Sequence, residues 1–224
     1  MVADVATLRS FPSQAFAPSR SVALTYRVEQ GLIENRVPFQ ILGSPQLDDL
    51  KSYRALVLAG CPALSDADLE RIRRYVDSGG ALCLVGPTAT HDAWMRERPQ
   101  PGLKDLSGKR VIRIDSAENL LNAVHQACGG GPSVAIEAPA GLAMELTDRA
   151  DARLLHLVNY REDGPLGEVG VRIRVPSGRH VTKVTLAGPS HEKDLVLPFT
   201  VDLDTVTFTV PRIDIYEVAV LTMN

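Results

Sequence analysis

The chain has 224 residues, 45% of them hydrophobic and 23% charged, with a formal net charge of -3 and an isoelectric point near 6.0. That balance describes a globular chain long enough for two modest domains, without the basic excess that nucleic acid or an anionic membrane surface would require. The longest apolar runs are strand-length, which argues against a transmembrane helix, and "MVADVATLRS" lacks the basic-then-apolar order of a secretory signal.

In chain order, "DVATLR" reads as a short strand, followed by a polar loop containing Pro12 and Pro18. The stretch "SRSVALTYRVEQGLIENR" places Leu24, Val28, Leu32 and Ile33 at helical spacing. "VPFQIL" and "RALVLAG" are the next strands. Ser65 is the expected N-cap of a helix with Asp68 in capping-box position, an apolar stripe of Leu69, Ile72, Tyr75 and Val76, and Gly79 as its stop. "ALCLVG" follows, apolar on both faces as a central parallel strand must be. A long loop, 87–108, leads to the strand "RVIRI" and the helix "SAENLLNAVHQAC". Strands alternating with helices predict an open parallel sheet in an α/β domain over residues 1–130, and "GGGP" at 129–132 reads as a linker.

The period then changes. "VRIRV", "LVLPFTV" and "VTFTV" alternate apolar and polar residues, and "SVAIEA", "GLAMEL", "ARLLHLVNY", "HVTKVTLAG" and "IDIYEVAVLT" are further strands. About eight short strands with no helix between them predict an antiparallel β-sandwich domain over 131–224.

Candidate chemistry is sparse. Cys61 follows the third strand, where ligands of open α/β sheets sit. A nucleophile elbow needs small residues on both sides, however, and Pro62 lacks the backbone N–H that would serve as an oxyanion donor. A buried packing role is the competing reading. At the end of the next strand, "VGPTATHD" offers Thr88 with His91 three residues on, against the plainer reading of a solvent-facing loop histidine. Cys83 lies within that strand, where it should be buried and inert. Three widely spaced cysteines argue against a disulfide framework and fit a cytoplasmic setting. Five scattered histidines imply no metal site, and His156 reads as a hydrogen-bonded core residue. Asn159 and Tyr160 are expected to end their strand with side-chain hydrogen bonds to the turn. No glycine-rich phosphate loop is present, so no cofactor is expected. The loop 87–108 groups His91, Asp92, Trp94, Arg96 and Arg98, and it reads as a contact surface or, more plainly, as a surface loop with Trp94 tucked onto the domain.

Several motifs in order resemble one family. "YRALVLAGCPALSDADLERIRRYVDSGGALCLVG", "LRSFPSQAF", "GLKDLSG" and "RLLHLVNYRE" leading to "VPRIDIYEVAVL" are similar to the C-terminal region of glycoside hydrolase family 42 β-galactosidases and related multidomain bacterial glycosidases. The resemblance implies a catalytically silent, class I glutamine-amidotransferase-like (flavodoxin-like) trimerisation domain and a C-terminal β-domain. It further implies a homo-oligomer, a trimer if family-like, and an upstream catalytic barrel carrying the two carboxylates. Such a barrel takes about 250 residues, more than this whole chain, so no catalytic residue carries over. Carbohydrate is a further possible partner, through the sandwich.

Overall fold

The computed structural model describes all residues, Met1–Asn224. They form two compact units: Ala3–Leu32 with Phe39–Pro132, and Ser133–Asn224 with Met1–Val2 and Ile33–Pro38.

The first unit contains β1 (Val5–Leu8), α1 (Phe11–Phe16), α2 (Pro18–Glu34, its last turn counted with the second unit), β2 (Phe39–Leu42), a 3-10 segment (Ser44–Ser52), β3 (Ala55–Ala59), α3 (Asp66–Asp77), β4 (Ala81–Val85), β5 (Val111–Ile114) and α4 (Leu120–Ala127). The five strands are all parallel in the order β2-β1-β3-β4-β5, a flavodoxin-like open sheet. β3 and β4 are buried throughout, which is why "ALVLA" and "ALCLV" are unbroken apolar runs.

Three local features depart from the sequence reading. The segment expected as a polar loop contains α1. Ser10 caps it by accepting a 3.4 Å bond from Ser13 N–H, and Pro12 stands in the first turn, where its missing N–H is not needed. A 3-10 segment at Ser44–Ser52 lies where no element was expected. The buried face of α2 is Ser21, Thr25, Val28, Glu29 and Leu32, while Ile33 of the expected apolar stripe is exposed. Polar side chains can occupy that face because each finds an internal partner. The Thr25 hydroxyl donates to Ala59 and Ser21 carbonyls (both 2.9 Å), and Glu29 receives Arg9 Nε at 2.8 Å.

α3 follows its sequence signals closely. Ser65 Oγ accepts from Asp68 N–H at 3.1 Å, Leu69, Ile72 and Tyr75 are buried, and Gly79 turns the chain at φ +96. Only half of a capping box forms, because the Asp68 carboxylate takes the Ser44 hydroxyl (3.1 Å) and Arg71 (3.4 Å) instead.

The second unit is a β-sandwich. It comprises β6 (Val134–Glu137), β7 (Leu142–Asp148), β8 (Ala152–Asn159), β9 (Val169–Arg174), β10 (Val181–Ala187), β11 (Leu195–Leu197), β12 (Phe199–Asp202), β13 (Thr205–Val210) and β14 (Tyr216–Met223). Two antiparallel sheets, β11-β10-β14-β8-β7 and β12-β13-β9-β6, share one core that includes Leu155, Leu157, Val171, Ile173, Leu186, Phe208 and Leu221. "LVLPFTV", expected as one strand, is two strands in different sheets. Pro198 has no N–H to give a ladder, so the chain changes sheet there.

His156 also departs from expectation. It is half-buried, not a core residue, in the outward register of β8. Its Nδ1 meets the Tyr216 hydroxyl at 2.8 Å and its Nε2 the Thr147 hydroxyl at 3.2 Å. Asn159 does close its strand as expected, donating to the carbonyls of Gly164, Ile213 and Asp214 and accepting from Arg161 N–H. Tyr160 instead points to solvent. No helix is long and apolar enough to cross a membrane.

Two positions give sharp expectations. Gly60 has φ +62, and a Cβ there would stand 2.3 Å from the Ser21 carbonyl oxygen. Gly60→Ala should destabilise the α/β unit by about 3 kcal/mol or more, from combined strain and overlap, measured by urea unfolding. Glu217 occupies an inward position of β14 and is 1% exposed, with Oε2 3.2 Å from His191 Nε2 but misaligned for a hydrogen bond. Burial raises its carboxyl pKa, and His191 opposes the rise. A folded-state pKa above the unfolded value contributes stability that is present at acid pH and lost as pH rises through the folded value. Glu217→Gln should therefore melt higher than the wild type at neutral pH, with the difference vanishing near pH 4, as thermal scans across pH would show.

Candidate functional site

Ligands of open parallel sheets bind at the carboxyl ends of the strands, where the strand order reverses. Here that point lies between β1 and β3, which both leave the sheet toward the same edge. It is closed by the chain itself. The hydroxyls of Ser10 and Ser13 both donate to the Ala63 carbonyl, at 2.6 and 2.9 Å, and Ser13 Oγ accepts Ala63 N–H at 2.9 Å. Ser21 donates to the Gly60 carbonyl and Thr25 to that of Ala59, so the start of α1 and two successive turns of α2 are bound to the end of β3 and the residues after it.

Cys61 lies beneath this seal. It is 0% exposed, with Sγ 3.4 Å from the Leu8 carbonyl and 3.5 Å from that of Ala59. Burial pushes its thiol pKa up to about 12, so the nucleophilic thiolate does not form at neutral pH. Cys83, inside β4, is pushed to about 12 by the same cause. Thr88 fares no better as a nucleophile, because its hydroxyl donates to the Gly86 carbonyl at 3.1 Å. His91 turns its Nδ1 to the Thr90 hydroxyl at 2.8 Å, so the Thr88–His91 pair is not formed. A cavity of about 230 Å³ does open at the ends of β4 and β5, lined in part by Gly86, Thr88, Leu103, Lys104, Arg113 and Asp115. Arg113 is occupied there with the Leu103 and Leu106 carbonyls, at 2.8 and 2.9 Å.

The loop 87–108 is ordered by backbone pairing. His91 bridges to Ala63 on one side and to Glu97 on the other, and Ala89 N–H donates to the Cys61 carbonyl at 2.9 Å. Arg98 belongs to this scaffold, reaching the Leu64 carbonyl at 3.0 Å and Asp66 at 2.6 Å. Asp92 builds the turn beyond. Its Oδ1 accepts the N–H groups of Trp94 (2.9 Å) and Arg96 (3.0 Å), and Oδ2 accepts Arg96 Nε at 2.7 Å. These bonds, the Arg96 N–H above all, hold the Asp92 carboxyl below the usual carboxylate range.

The structure thus groups Asp92, Trp94 and Arg96 on one turn and places His91 and Arg98 in its support. Trp94 is 74% exposed, so it is not tucked onto the domain. Phe11, on α1, is 77% exposed. Phe11 stands on the segment hydrogen-bonded to Ala63, and Trp94 on the loop whose His91 pairs with the neighbouring Pro62 and Leu64, so both lie at the carboxyl edge of the sheet. Sequence reading missed Phe11 and the sealing hydroxyls of Ser10 and Ser13. The Ser-x-x-Ser spacing with Pro12 between them was the signal for a short capped helix.

No family model and no curated protein matches the chain. Solved structures do, across essentially its full length. The exo-carrageenase GH42 from Bacteroides ovatus matches with a TM-score of 0.61 and 13% identity, over 100% of this chain and 30% of that one. The α-L-fucosidase isoenzyme 2 from Paenibacillus thiaminolyticus gives 0.71 and 16%, over 99% and 49%. The β-galactosidase from Bacillus circulans sp. alkalophilus gives 0.68 and 9%, over 98% and 41%. The likeness is one of fold. The chain spans less than half the length of each of these relatives, and its fold is that of a portion of larger glycoside hydrolases, GH42 enzymes among them.

A buried structural thiol and a reactive one differ in a simple assay. Native protein treated with iodoacetamide at neutral pH should leave Cys61 unmodified, and labelling should appear only on unfolding, read by peptide mass spectrometry.

Proposed function

We propose that this chain is the non-catalytic accessory and oligomerisation region of a bacterial glycoside hydrolase whose catalytic barrel lies outside it. The observation that carries the reading is the fold likeness, which takes in 98 to 100% of this chain but only 30 to 49% of three glycoside hydrolases. The sealed switch point and the inert Cys61 support it, because the crevice where open sheets of this topology take ligands is filled by the hydroxyls of Ser10 and Ser13.

The proposed partner is a second and third copy of the chain, docked through the edge that carries Phe11 and Trp94. Exposed aromatic residues beside arginine are the composition of interface anchors, and a rigid turn presents them with little further loss of conformational freedom on docking. A trimer closes by a head-to-tail contact, so this edge would meet a different surface of the neighbour. In this reading a cytoplasmic setting, which the free cysteines suit, completes the assignment. Carbohydrate binding by the sandwich has less support. Of its aromatic residues, Phe208 is buried, Phe199 packs half-buried against the core and Tyr216 stacks on His156, which leaves Tyr160 exposed without a neighbouring ring.

Sedimentation equilibrium of the purified chain tests the assembly. A species near three times 24.2 kDa is expected, and Trp94→Ala with Phe11→Ser should convert it to monomer with an unchanged melting curve. A wild-type monomer at every concentration would sink the oligomerisation reading. Amide or glycoside hydrolysis that disappears on a single substitution would sink the non-catalytic one.

A further inference from the structure

A second, wider cavity of the α/β unit lies at the end of the sheet opposite the one just described. Its volume is about 550 Å³, and it opens where β3, β4 and β5 begin. Arg54 stands before β3, Gly80 before β4 and Arg110 before β5, with Lys51 approaching from the 3-10 segment. Tyr53 and Tyr75 supply the ring surfaces, and the last turns of α3 and α4 complete the wall. The three charged residues of the lining are all cations, in a chain whose net charge is -3.

Part of that charge serves the fold. Arg54 donates to the Cys128 and Gly131 carbonyls, with Asp4 behind it at 3.6 Å, and Arg110 Nη1 donates to the Gly79 carbonyl at 2.8 Å. These contacts cap the carbonyl ends of α4 and α3, where positive charge is favoured. They do not use all the donors. A guanidinium has five N–H groups in a fixed fork, and Arg110 commits one of them. Lys51 is solvent-exposed and forms no hydrogen bond or ion pair, so its three ammonium donors are free. Gly79 leaves open space where a Cβ would stand, so the approach to the wall is clear.

We propose that this cleft binds an anionic ligand through a tetrahedral oxyanion, a sulfate or phosphate ester, with a sugar-sized body against the tyrosines. The free ammonium of Lys51 and the uncommitted edge of Arg110 supply charge and donors for the anion, while Arg54, half neutralised by Asp4, adds field. The volume exceeds what a bare inorganic ion needs and suits an ester carrying one ring. The inference stands independently of the assembly reading, since it uses the other end of the sheet.

The test is calorimetric titration of the full chain with glucose 6-sulfate, glucose 6-phosphate and glucose, alongside inorganic sulfate and phosphate. Saturable binding of at least one ester is expected, stronger than its inorganic ion and absent for glucose, and weakening steeply with added salt. Sulfate and phosphate arms decide which ester is preferred, and either preference supports the site. Lys51→Glu, at an exposed position with no structural contact, should weaken binding at least about tenfold without shifting the melting curve. Arg110→Ala should weaken it similarly. No saturable binding of either ester, equal binding of glucose, or unchanged affinity in Lys51→Glu would each overturn the proposal.

Discussion

The end of β3 is where the α/β unit is held together. A parallel strand leaves its last carbonyls and amides without partners inside the sheet, and in most open α/β folds a loop or a ligand takes them. Here Ser10, Ser13, Ser21 and Thr25 bind the backbone of Ala59, Gly60 and Ala63, and the neighbouring structure is arranged to let them do so. Gly60 adopts a left-handed conformation so that α2 can come within reach, α1 exists to carry Ser13, and the loop after β4 pairs with Ala63 from the other side. Hydroxyl groups replace the ligand.

That substitution fills the crevice where open α/β sheets take their ligands. Buried hydroxyls that are fully bonded rigidify a site and leave nothing to polarise a substrate. Cys61, enclosed beneath them, has neither a base nor water to favour its thiolate. The same closure creates an outer surface. α1 carries Phe11 outward, and the Asp92 turn carries Trp94 outward, on segments that the seal itself anchors. An edge that binds small molecules in related architectures becomes, in this reading, an edge that binds protein.

The two ends of the sheet differ in electrostatics as well. At the amino ends, the carbonyl termini of α3 and α4 face the strand entries and draw cations toward them. Arg54 and Arg110 answer that need, and Lys51 adds a charge that the fold does not require. The sandwich carries its own buried charge, Glu217 opposite His191. Gly188 lies so close to the carboxylate that a Cβ there would stand 2.1 Å from an oxygen of Glu217 unless that side chain moved. Each of these groups occupies a position whose neighbours were brought together from distant parts of the chain.

Much was legible in sequence order. Unbroken apolar runs marked β3 and β4, alternation marked the sandwich strands, and Ser65 with Gly79 bounded α3, because periodicity and capping are local properties. Pro62 beside Cys61 was already enough to argue against an elbow. The buried polar face of α2 was not legible, since whether Ser21 or Thr25 is inside depends on the carbonyls of β3 lying across from them. Nor was the break at Pro198, the outward register of His156, or the meeting of Lys51, Arg54 and Arg110. Composition and period determined the fold class and the absence of a recognisable motif for catalysis. Tertiary structure alone decided which polar groups are enclosed, which aromatics are presented and where charge converges, because those depend on partners remote in the chain.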